Sequence, residues 1–360
     1  MADPPLFASS APVVKVEGTR QPDLARDLLR LEVEESTDGL KTLALHLIAS
    51  APRNQQSTDV VEYLDGTVID FGKHIEVSLG PPGNEKIVFA GVMSSIEVGF
   101  DEGDVPHVSL TAEDELMRLR MTQRTKTYKR MSDADIARAI AGEHGLTALV
   151  DAAGPTYDVV QQVNESDLAF LRSRAERIAA ELWVDAGTLH FATRDKRTGT
   201  TVTLTRGSQL VAVEARADLA HQCSAVTVSG YDASARKSID VEAPSSTLEE
   251  EASGGKTGPQ TLDRAYGALP GRRARLVPVN EEEARAYAKA ELLRRARRFV
   301  TARGTTSCTP ELVVGSRVTL ARCGRPFDGP GYYVSRVQHT FDQAKGHRTL
   351  FTAERATVTS

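Results

Sequence analysis

The sequence predicts an α+β protein in which two β domains of similar type flank an α/β middle region, with a long helix inserted into the second domain. Three observations support this prediction. Short runs of alternating apolar and polar residues fill residues 12–115 and return after residue 200, as in antiparallel sheets. Apolar residues between these regions recur at helical spacing. Finally, part of the first β region aligns without gaps with part of the second.

The first β domain is predicted at residues 12–115, after an N-terminal tail at residues 1–11. Its runs are short, and Gly, Pro, Asn or Asp separates them, which is typical of an antiparallel barrel or sandwich. The predicted strands are residues 13–16, 31–33, 43–48, 74–79, 87–89 and 108–110.

The middle α/β domain is predicted at residues 116–199. Its first helix follows Ser132 as the cap, with Ile136 and Ile140 on one face and Gly145 where a left-handed stop belongs. Residues 161–191 then predict a helix, a turn and a strand, with the helix continuing to Trp183.

The start of this second helix carries two possible caps, Asn164 and Ser166. Glu165 and Asp167 lie where the positive end of the helix dipole favours carboxylates. A general acid and base pair is the alternative interpretation of these two carboxylates. Carboxylates at helix starts are much commoner than catalytic ones, so we favour the structural interpretation.

The second β domain is predicted in two parts, residues 200–243 and 305–360, around an insertion at residues 244–304. Predicted strands are residues 201–205, 210–213, 226–228, 312–314, 318–320, 332–334 and 349–351. The insertion begins with residues 244–260, whose Ser, Gly and Glu content predicts an exposed, mobile loop. A helix is predicted at residues 281–303, with Asn280 as its cap and Glu283 completing a capping box. Its acidic start and basic end follow the helix dipole, so the basic run needs no ligand to explain it.

An internal repeat relates the two β domains. Residues 93–113 align with residues 334–354 at an offset of 241, and six of the 21 positions are identical. The identities include Phe100 with Phe341 and Asp101 with Asp342. Two unrelated hairpins that share turn residues are the alternative explanation. Two copies of one β domain in each chain would let a closed ring of three chains present six similar domains, and so match three-fold and six-fold partners.

Composition excludes several classes of function. Of the 360 residues, 40% are hydrophobic and 26% charged, which is typical of a globular protein. A formal net charge of −5 argues against nucleic acid as the main partner. No run approaches the ~18 apolar residues of a membrane span, and the N-terminus lacks the features of a signal peptide. We therefore expect no membrane insertion and a protein that stays in the cytoplasm during assembly.

No set of residues in the sequence predicts a catalytic, cofactor or metal site. Cys223, Cys308 and Cys323 are too far apart in sequence for a zinc motif and are expected to be inert thiols. Lys256 and Thr257 follow Gly255 as in a phosphate-binding loop, but the leading glycine of that motif is missing. The eight histidines form no His-x-x-x-His pair. We therefore expect no enzymatic activity and no cofactor.

Six stretches resemble the phage late control D family, the hub proteins at the centre of contractile-tail baseplates. That family is similar to the N-terminal part of VgrG spikes of type VI secretion and to the T-even phage hub. The stretches are Met131-Ser-Asp-Ala-Asp-Ile136, Asn164-Glu-Ser-Asp-Leu-Ala-Phe-Leu171, Leu182-Trp-Val-Asp-Ala-Gly-Thr-Leu-His-Phe191, Pro310-Glu-Leu-Val-Val-Gly315, Asp328-Gly-Pro-Gly-Tyr-Tyr-Val334 and Thr349-Leu-Phe-Thr-Ala-Glu-Arg355. The motif residues expected to have structural roles are Asn164, Glu165, Ser166, Asp167, Leu168, Phe170, Leu171, Gly315, Gly331 and Tyr332.

The resemblance implies a homotrimer with two β-barrel domains per subunit, which form a pseudo-hexameric ring between the inner tube and the spike. Other baseplate proteins are further implied partners, within a phage tail or a related injection particle. The sequence ends at Ser360 without the spike domain that VgrG proteins carry, so a separate spike protein is expected. Two alternatives remain open: a tail-associated enzyme such as a cell-wall hydrolase, and a stand-alone binding module.

Overall fold

Strands are the predominant secondary structure of the protein, whose computed structural model describes residues 11–50, 61–252, 254–273 and 277–359. The predicted tail at residues 1–11 lies, apart from residue 11, outside the described residues. The first region contains β1 (Val13–Val16), β2 (Thr19–Arg20), α1 (Pro22–Arg26), β3 (Leu28–Ser36), β4 (Thr42–Ile48), β5 (His74–Leu79), β6 (Lys86–Gly99) and β7 (His107–Glu113). All six predicted strands of this region lie within these elements.

The middle region contains α2 (Leu116–Arg120), β8 (Gln123–Ser132), α3 (Asp133–Glu143), β9 (Thr147–Asp151), β10 (Thr156–Ser166), α4 (Asp167–Arg177), β11 (Ala180–Asp185) and β12 (Thr188–Thr193). Ser132 caps α3 through a capping box with Asp135, and Gly145 takes a positive φ of 70°, so both predicted ends of this helix are confirmed. The second helix ends earlier than predicted. Ala179 adopts a positive φ of 57°, and Leu182 and Trp183 lie on β11. Leu182 fits the helical spacing of the preceding apolar residues, which is why the sequence placed it on the helix.

The last region contains β13 (Thr201–Thr205), β14 (Leu210–Ala217), β15 (Ala225–Asp232), β16 (Lys237–Pro244), a 3-10 helix (Ser245–Glu251), β17 (Lys256–Thr257), α5 (Gly258–Tyr266), β18 (Gly271–Arg273), α6 (Glu281–Arg297), β19 (Val300–Ser307), β20 (Arg317–Ala321), β21 (Gly329–Asp342), β22 (Gly346–Arg355) and β23 (Thr357–Val358). Asn280 caps α6 by accepting a hydrogen bond from the Glu283 N–H at 2.8 Å, as predicted, but the Glu283 carboxylate accepts from the Val279 N–H and does not complete the predicted capping box. The helix ends at Arg297, before the predicted end at residue 303, because β19 begins at Val300. Residues 312–314 form turns instead of the predicted strand, because Leu312 and Ser316 donate backbone hydrogen bonds three residues back.

The prediction of an exposed loop at residues 244–260 is correct only in part, because Glu249 and residues 254–256 are exposed whereas other residues of the segment are buried. Leu248 is 1% exposed and packs in the core beneath α6, and Glu251 forms an ion pair with Arg297 of that helix. Lys256 and Thr257 pair with β23 near the end of the chain. Contacts with residues distant in sequence thus order a segment whose own composition has few apolar anchors.

One large sheet joins the first and last regions. Its strand order is β14-β19-β22-β21-β3-β4-β7-β6-β5-β1-β2, with β20 and β13 attached at β21. This path is open, and the described residues form no closed ring of paired strands. β15 and β16, which the sequence assigned to the second β domain, pair instead with each other and pack on α6, and β15 also pairs with β18.

The described residues form four hydrophobic cores. The first is built from β1 to β7, the second from the middle region, the third from β13, β14 and β19 to β22, and the fourth from α6 and the sheet of β15 and β16. Phe341 of β21 is the exception, because it packs into the first core. The large sheet therefore shares apolar contacts across the junction between its two halves.

Candidate functional site

The sequence motif at residues 164–171 forms the start of α4. Ser166 is the helix cap, since its Oγ accepts a hydrogen bond from the Ala169 N–H at 3.2 Å. Asn164 does not cap the helix. Its φ is 49°, its N–H donates to Thr125 Oγ1 at 3.2 Å, and the register of β10 against β8 shifts beside it. Asn164 therefore belongs to a β-bulge that aims the chain into the helix.

Asp167 is a buried carboxylate surrounded by partners. It is 1% exposed, forms an ion pair with Arg124 Nε at 3.0 Å, accepts a hydrogen bond from Gln162 Nε2 at 2.9 Å, and contacts His144 Nε2 at 2.7 Å. Cationic and amide partners compensate the cost of burying its charge. These contacts tie α4 to β8, β10 and the end of α3, whereas Glu165 is half-buried beside a cleft. Asp167 therefore has the geometry of a structural residue that connects several elements.

The apolar motif residues lie in the core of the middle region. Leu168, Phe170 and Leu171 are all buried there. The ring of Phe170 stacks on that of Tyr128, with 5.6 Å between centroids and 13° between planes. Burial raises the pKa of the Tyr128 hydroxyl to about 12.

A second buried ion pair lies beneath the motif, and the sequence did not indicate it. Arg174 of α4 binds Asp133 of α3, each less than 4% exposed, and the Tyr157 hydroxyl donates to Asp133 at 2.8 Å. The Arg174 guanidinium also lies 4.3 Å from the centroid of the Tyr157 ring. In sequence, Asp133 is indistinguishable from an ordinary acidic residue in the first helical turn.

The remaining motif residues lie far from α4 in sequence and belong to the third core and its turns. Gly315 has a φ of 94°, and a Cβ there would lie 2.9 Å from Cγ of Arg197, so no larger residue fits without strain. Gly331 also has a φ of 94°. Tyr332 is fully buried, and its hydroxyl donates to the Phe327 carbonyl at 2.8 Å. The ten motif residues thus form two separate structural groups.

A buried charged junction links the three regions. Arg197, from the segment after β12, binds Glu35 of β3 at 2.7 Å and Glu181 of β11 at 3.3 Å. Arg194 binds Glu181 at 3.1 Å and Glu354 of β22 at 3.0 Å. Burial alone would raise the pKa of Glu181, but the two arginines hold it below its ordinary value. This junction makes the relative placement of the regions specific, since removing one partner would leave a buried charge.

The large sheet contains two congruent four-stranded units, and these form the candidate functional site. We call β14-β19-β22-β21 the second unit and β3-β4-β7-β6 the first unit, in their spatial order. In the first, Met93 pairs with Ala112, and in the second, Val334 pairs with Ala353, each followed by a bulge. The repeat seen in the sequence therefore corresponds to two hairpins with the same register.

The congruence extends to all four strands of each unit. Leu31 of β3 pairs with Leu45, and at the equivalent place Val213 of β14 pairs with Gly304. The register of β3 against β4 shifts between residues 28 and 30, and that of β14 against β19 shifts between residues 210 and 212. Both pairs of positions differ by 182 residues. Only the two hairpins, β6–β7 and β21–β22, show this duplication as a similarity in sequence.

The two units differ in which of their edge strands are paired. Within the chain, β21 of the second unit pairs with β3 of the first. The outer edge of β14 and the outer edge of β6 beyond Met93 have no strand partner among the described residues. Large apolar side chains are exposed at these places, with Phe100 at 66%, Val211 at 58% and Val98 at 39%.

The described part of the chain contains neither a group of three or more His, Cys, Asp and Glu residues placed to bind a metal, nor a helix with the length and apolar character of a membrane span. Cys223 is buried and the other two cysteines are half-buried, and all three are free thiols. Burial raises the pKa of each thiol.

A family model described as the Alg8 N-terminal domain matches residues 10–343. The chain belongs to this family. The matched residues include parts of all four hydrophobic cores. Among curated proteins, none matches the chain at a significant level.

Solved structures share the fold of this Alg8 N-terminal domain protein. The crystal structure of the 43 kDa tail protein of prophage MuSo2 from Shewanella oneidensis has a TM-score of 0.70 and 16% identity, and the match covers 96% of this chain and 98% of that chain. A tail protein from Neisseria meningitidis MC58 has a TM-score of 0.66 and 16% identity, with 96% of each chain covered. An E. coli protein described as a type VI secretion component similar to T4 tail proteins gp27 and gp5 has a TM-score of 0.57 and 11% identity, covering 95% of this chain and 76% of that chain. The fold is therefore one that also occurs in phage tail and type VI secretion proteins.

Proposed function

We propose that this chain is the structural baseplate hub of a contractile, phage-tail-like injection machine. It would act as a homotrimer that joins a hexameric inner tube to a trimeric spike. The observation that carries the proposal is the tandem arrangement of two congruent four-stranded units in one sheet. Three copies arranged in a ring would present six such units, so one face can match six-fold symmetry and the other three-fold symmetry.

The resemblance to the late control D and VgrG families supports this function independently of the units, because three of its six motifs lie in the middle region, outside both units. The likeness of the fold to tail proteins is in agreement with it. In this proposal each β region is a barrel-type domain, and its sheet encloses its own apolar core. The motif residue Asp167 of α4 would keep the middle region rigid, and Arg194 and Arg197 would hold that region against the ring through Glu354 and Glu35.

The proposed partners are further copies of this chain, the inner tube protein, a separate spike protein and other baseplate proteins. The proposal assigns the protein no catalysis, no cofactor and no main role in nucleic-acid binding. The hub would assemble in the cytoplasm and then remain part of the injection particle. Its contribution is geometric, since it would connect rings of different symmetry through protein surfaces.

The test is the oligomeric state of the full chain. Native mass spectrometry and light scattering over a range of protein concentrations should detect a species of three times 38.9 kDa. Electron cryomicroscopy of the particle should locate three copies around its axis, between tube and spike. A chain that remains monomeric or dimeric at every concentration, and occupies no three-fold position in the particle, would overturn the proposal.

A further inference from the structure

We propose that β6 of one copy pairs with β14 of the next copy, antiparallel, with Glu97 opposite Arg216 and Phe100 opposite Val213. This inference rests on the proposed function, because it specifies how the three copies join. It follows from a junction that the chain already contains between its own two units. The partner is therefore a second copy of this chain, bound head to tail.

The internal junction shows how two units join. β21 pairs with β3 in a register that places His339 opposite Val33 and Phe341 opposite Leu31. On the core side, all four of these side chains are buried, with Phe341 at 7% exposure. On the other side, Arg336 forms an ion pair with Glu34 at 2.8 Å. The junction thus has an apolar face and a charged face.

The same register can be transferred to the free edges, because the units are congruent. A shift of 241 residues relates β21 to β6, and a shift of 182 residues relates β3 to β14. The transferred register runs from Ser95 opposite Asp218 to Asp101 opposite Ala212. At its centre, Val98 lies opposite Ala215.

The side chains at these positions are complementary. Val213 and Ala215 are half-buried against the third core, so Phe100 and Val98 would extend that core across the junction, as Phe341 extends the first. Phe100 is 66% exposed in the isolated chain, whereas its equivalent Phe341 is buried.

On the opposite face, exposed Glu97 would meet Arg216, whose side chain is 72% exposed. Arg216 forms an ion pair with Asp218 of its own edge and lines a cleft with Arg294, Arg295 and Arg298. The surroundings of Arg216 are therefore basic in spite of Asp218 and Glu214, while the hairpin tip after β6 is acidic. Opposite charges across strands stabilise pairing, and unpaired strand edges favour the addition of a strand.

A disulfide between Val98→Cys and Ala215→Cys in the full chain tests the register. Residues opposite each other in an antiparallel pair have Cα atoms about 4.5 to 5.5 Å apart, within disulfide reach. The matched control is Val98→Cys with Val213→Cys, because a shift of two residues increases the separation to about 7 to 8 Å. Wild-type protein with its three free cysteines is the oxidation blank. We expect covalent trimers on denaturing gels without reductant for the first pair only.

Native mass spectrometry of the same samples separates the two hypotheses. Trimers that persist without a crosslink at residues 98 and 215 would overturn the register and leave the proposed function standing. Chains that remain monomeric at every concentration would overturn both.

Charge reversal is the second measurement. Glu97→Arg or Arg216→Glu alone should raise the dissociation constant roughly five-fold per interface, and the combination should restore it. Glu102→Arg, an exposed acidic residue beyond the paired segment, is the matched control and should leave trimer formation unchanged. Single variants that behave like Glu102→Arg would contradict the pairing of Glu97 with Arg216.

Discussion

A buried histidine pair predicts acid sensitivity of the β21–β22 hairpin. His339 and His347 are each 3% exposed, with Nδ1 of His339 at 3.3 Å from Nε2 of His347. Thr349 Oγ1 lies 3.1 Å from Nδ1 of His339 and 3.2 Å from Nε2 of His347. Its hydroxyl donates a hydrogen bond to the Thr309 carbonyl. In the neutral pair one ring donates and the other accepts. Protonation of both rings would bring two N–H groups face to face.

The pKa values give the magnitude of the effect. Burial, with the neighbouring His347 and Lys41, lowers the pKa of His339 to about 3, and burial with Arg348 lowers the pKa of His347 to about 4. The ordinary value is about 6.5, so the unfolded chain binds these protons first as the pH falls. Stability from the pair is therefore fully present above pH ~6.5 and is lost progressively toward pH ~4 and below. At pH ~5 each histidine costs about 2 kcal/mol, or about 4 kcal/mol for the pair.

The assay is hydrogen exchange of the β21 and β22 amides at pH ~7.5 and pH ~5, corrected for the intrinsic pH dependence of exchange. Because glutamine does not titrate, His347→Gln should reduce the loss of opening free energy between these pH values by about 2 kcal/mol. His74→Gln, which removes an exposed histidine from β5, controls for the substitution itself. The same pH dependence in wild type and His347→Gln would refute this reasoning.

Three further predictions concern stability. Phe341→Ala should lower the free energy of unfolding by about 3 to 5 kcal/mol, because it empties a buried site. Phe100→Ala should change it by less than about 0.5 kcal/mol in dilute, monomeric protein, because Phe100 is exposed. Equal losses in urea unfolding would contradict the difference in burial. Ser166→Ala should lower the free energy of unfolding by about 1 kcal/mol through loss of the α4 cap. Asp167→Asn should lower it by at least about 2 kcal/mol, because Arg124 and His144 lose a buried anion. Thermal unfolding can rank the two variants, and the reverse order would refute the interpretation. Gly315→Ala should cost more than about 1 kcal/mol, since alanine is strained at a φ of 94° and crowds Arg197, and an unchanged melting temperature would refute this.

Local signals explain which elements the sequence predicted correctly. Alternation of apolar residues identified the strands of the first region, and side-chain caps identified the starts of α3 and α6. These signals depend on residues within about four positions of each other, so they can be recognised in the local sequence. The sequence also showed the internal repeat, in which Phe100 corresponds to Phe341. Local signals could not predict that Leu182 would lie on a strand, since its spacing fits both structures.

By itself, the sequence determined the strands of the first region, the duplicated hairpin and the start of α4. Only the tertiary structure decided which positions are buried, because burial depends on residues far apart in the chain. Residues 256–257 are ordered by pairing with β23, and Asp167 contacts Arg124 and His144 from other elements. The two repeat phenylalanines differ for the same reason: Phe341 meets β3 within the chain, while the edge beside Phe100 is left unpaired.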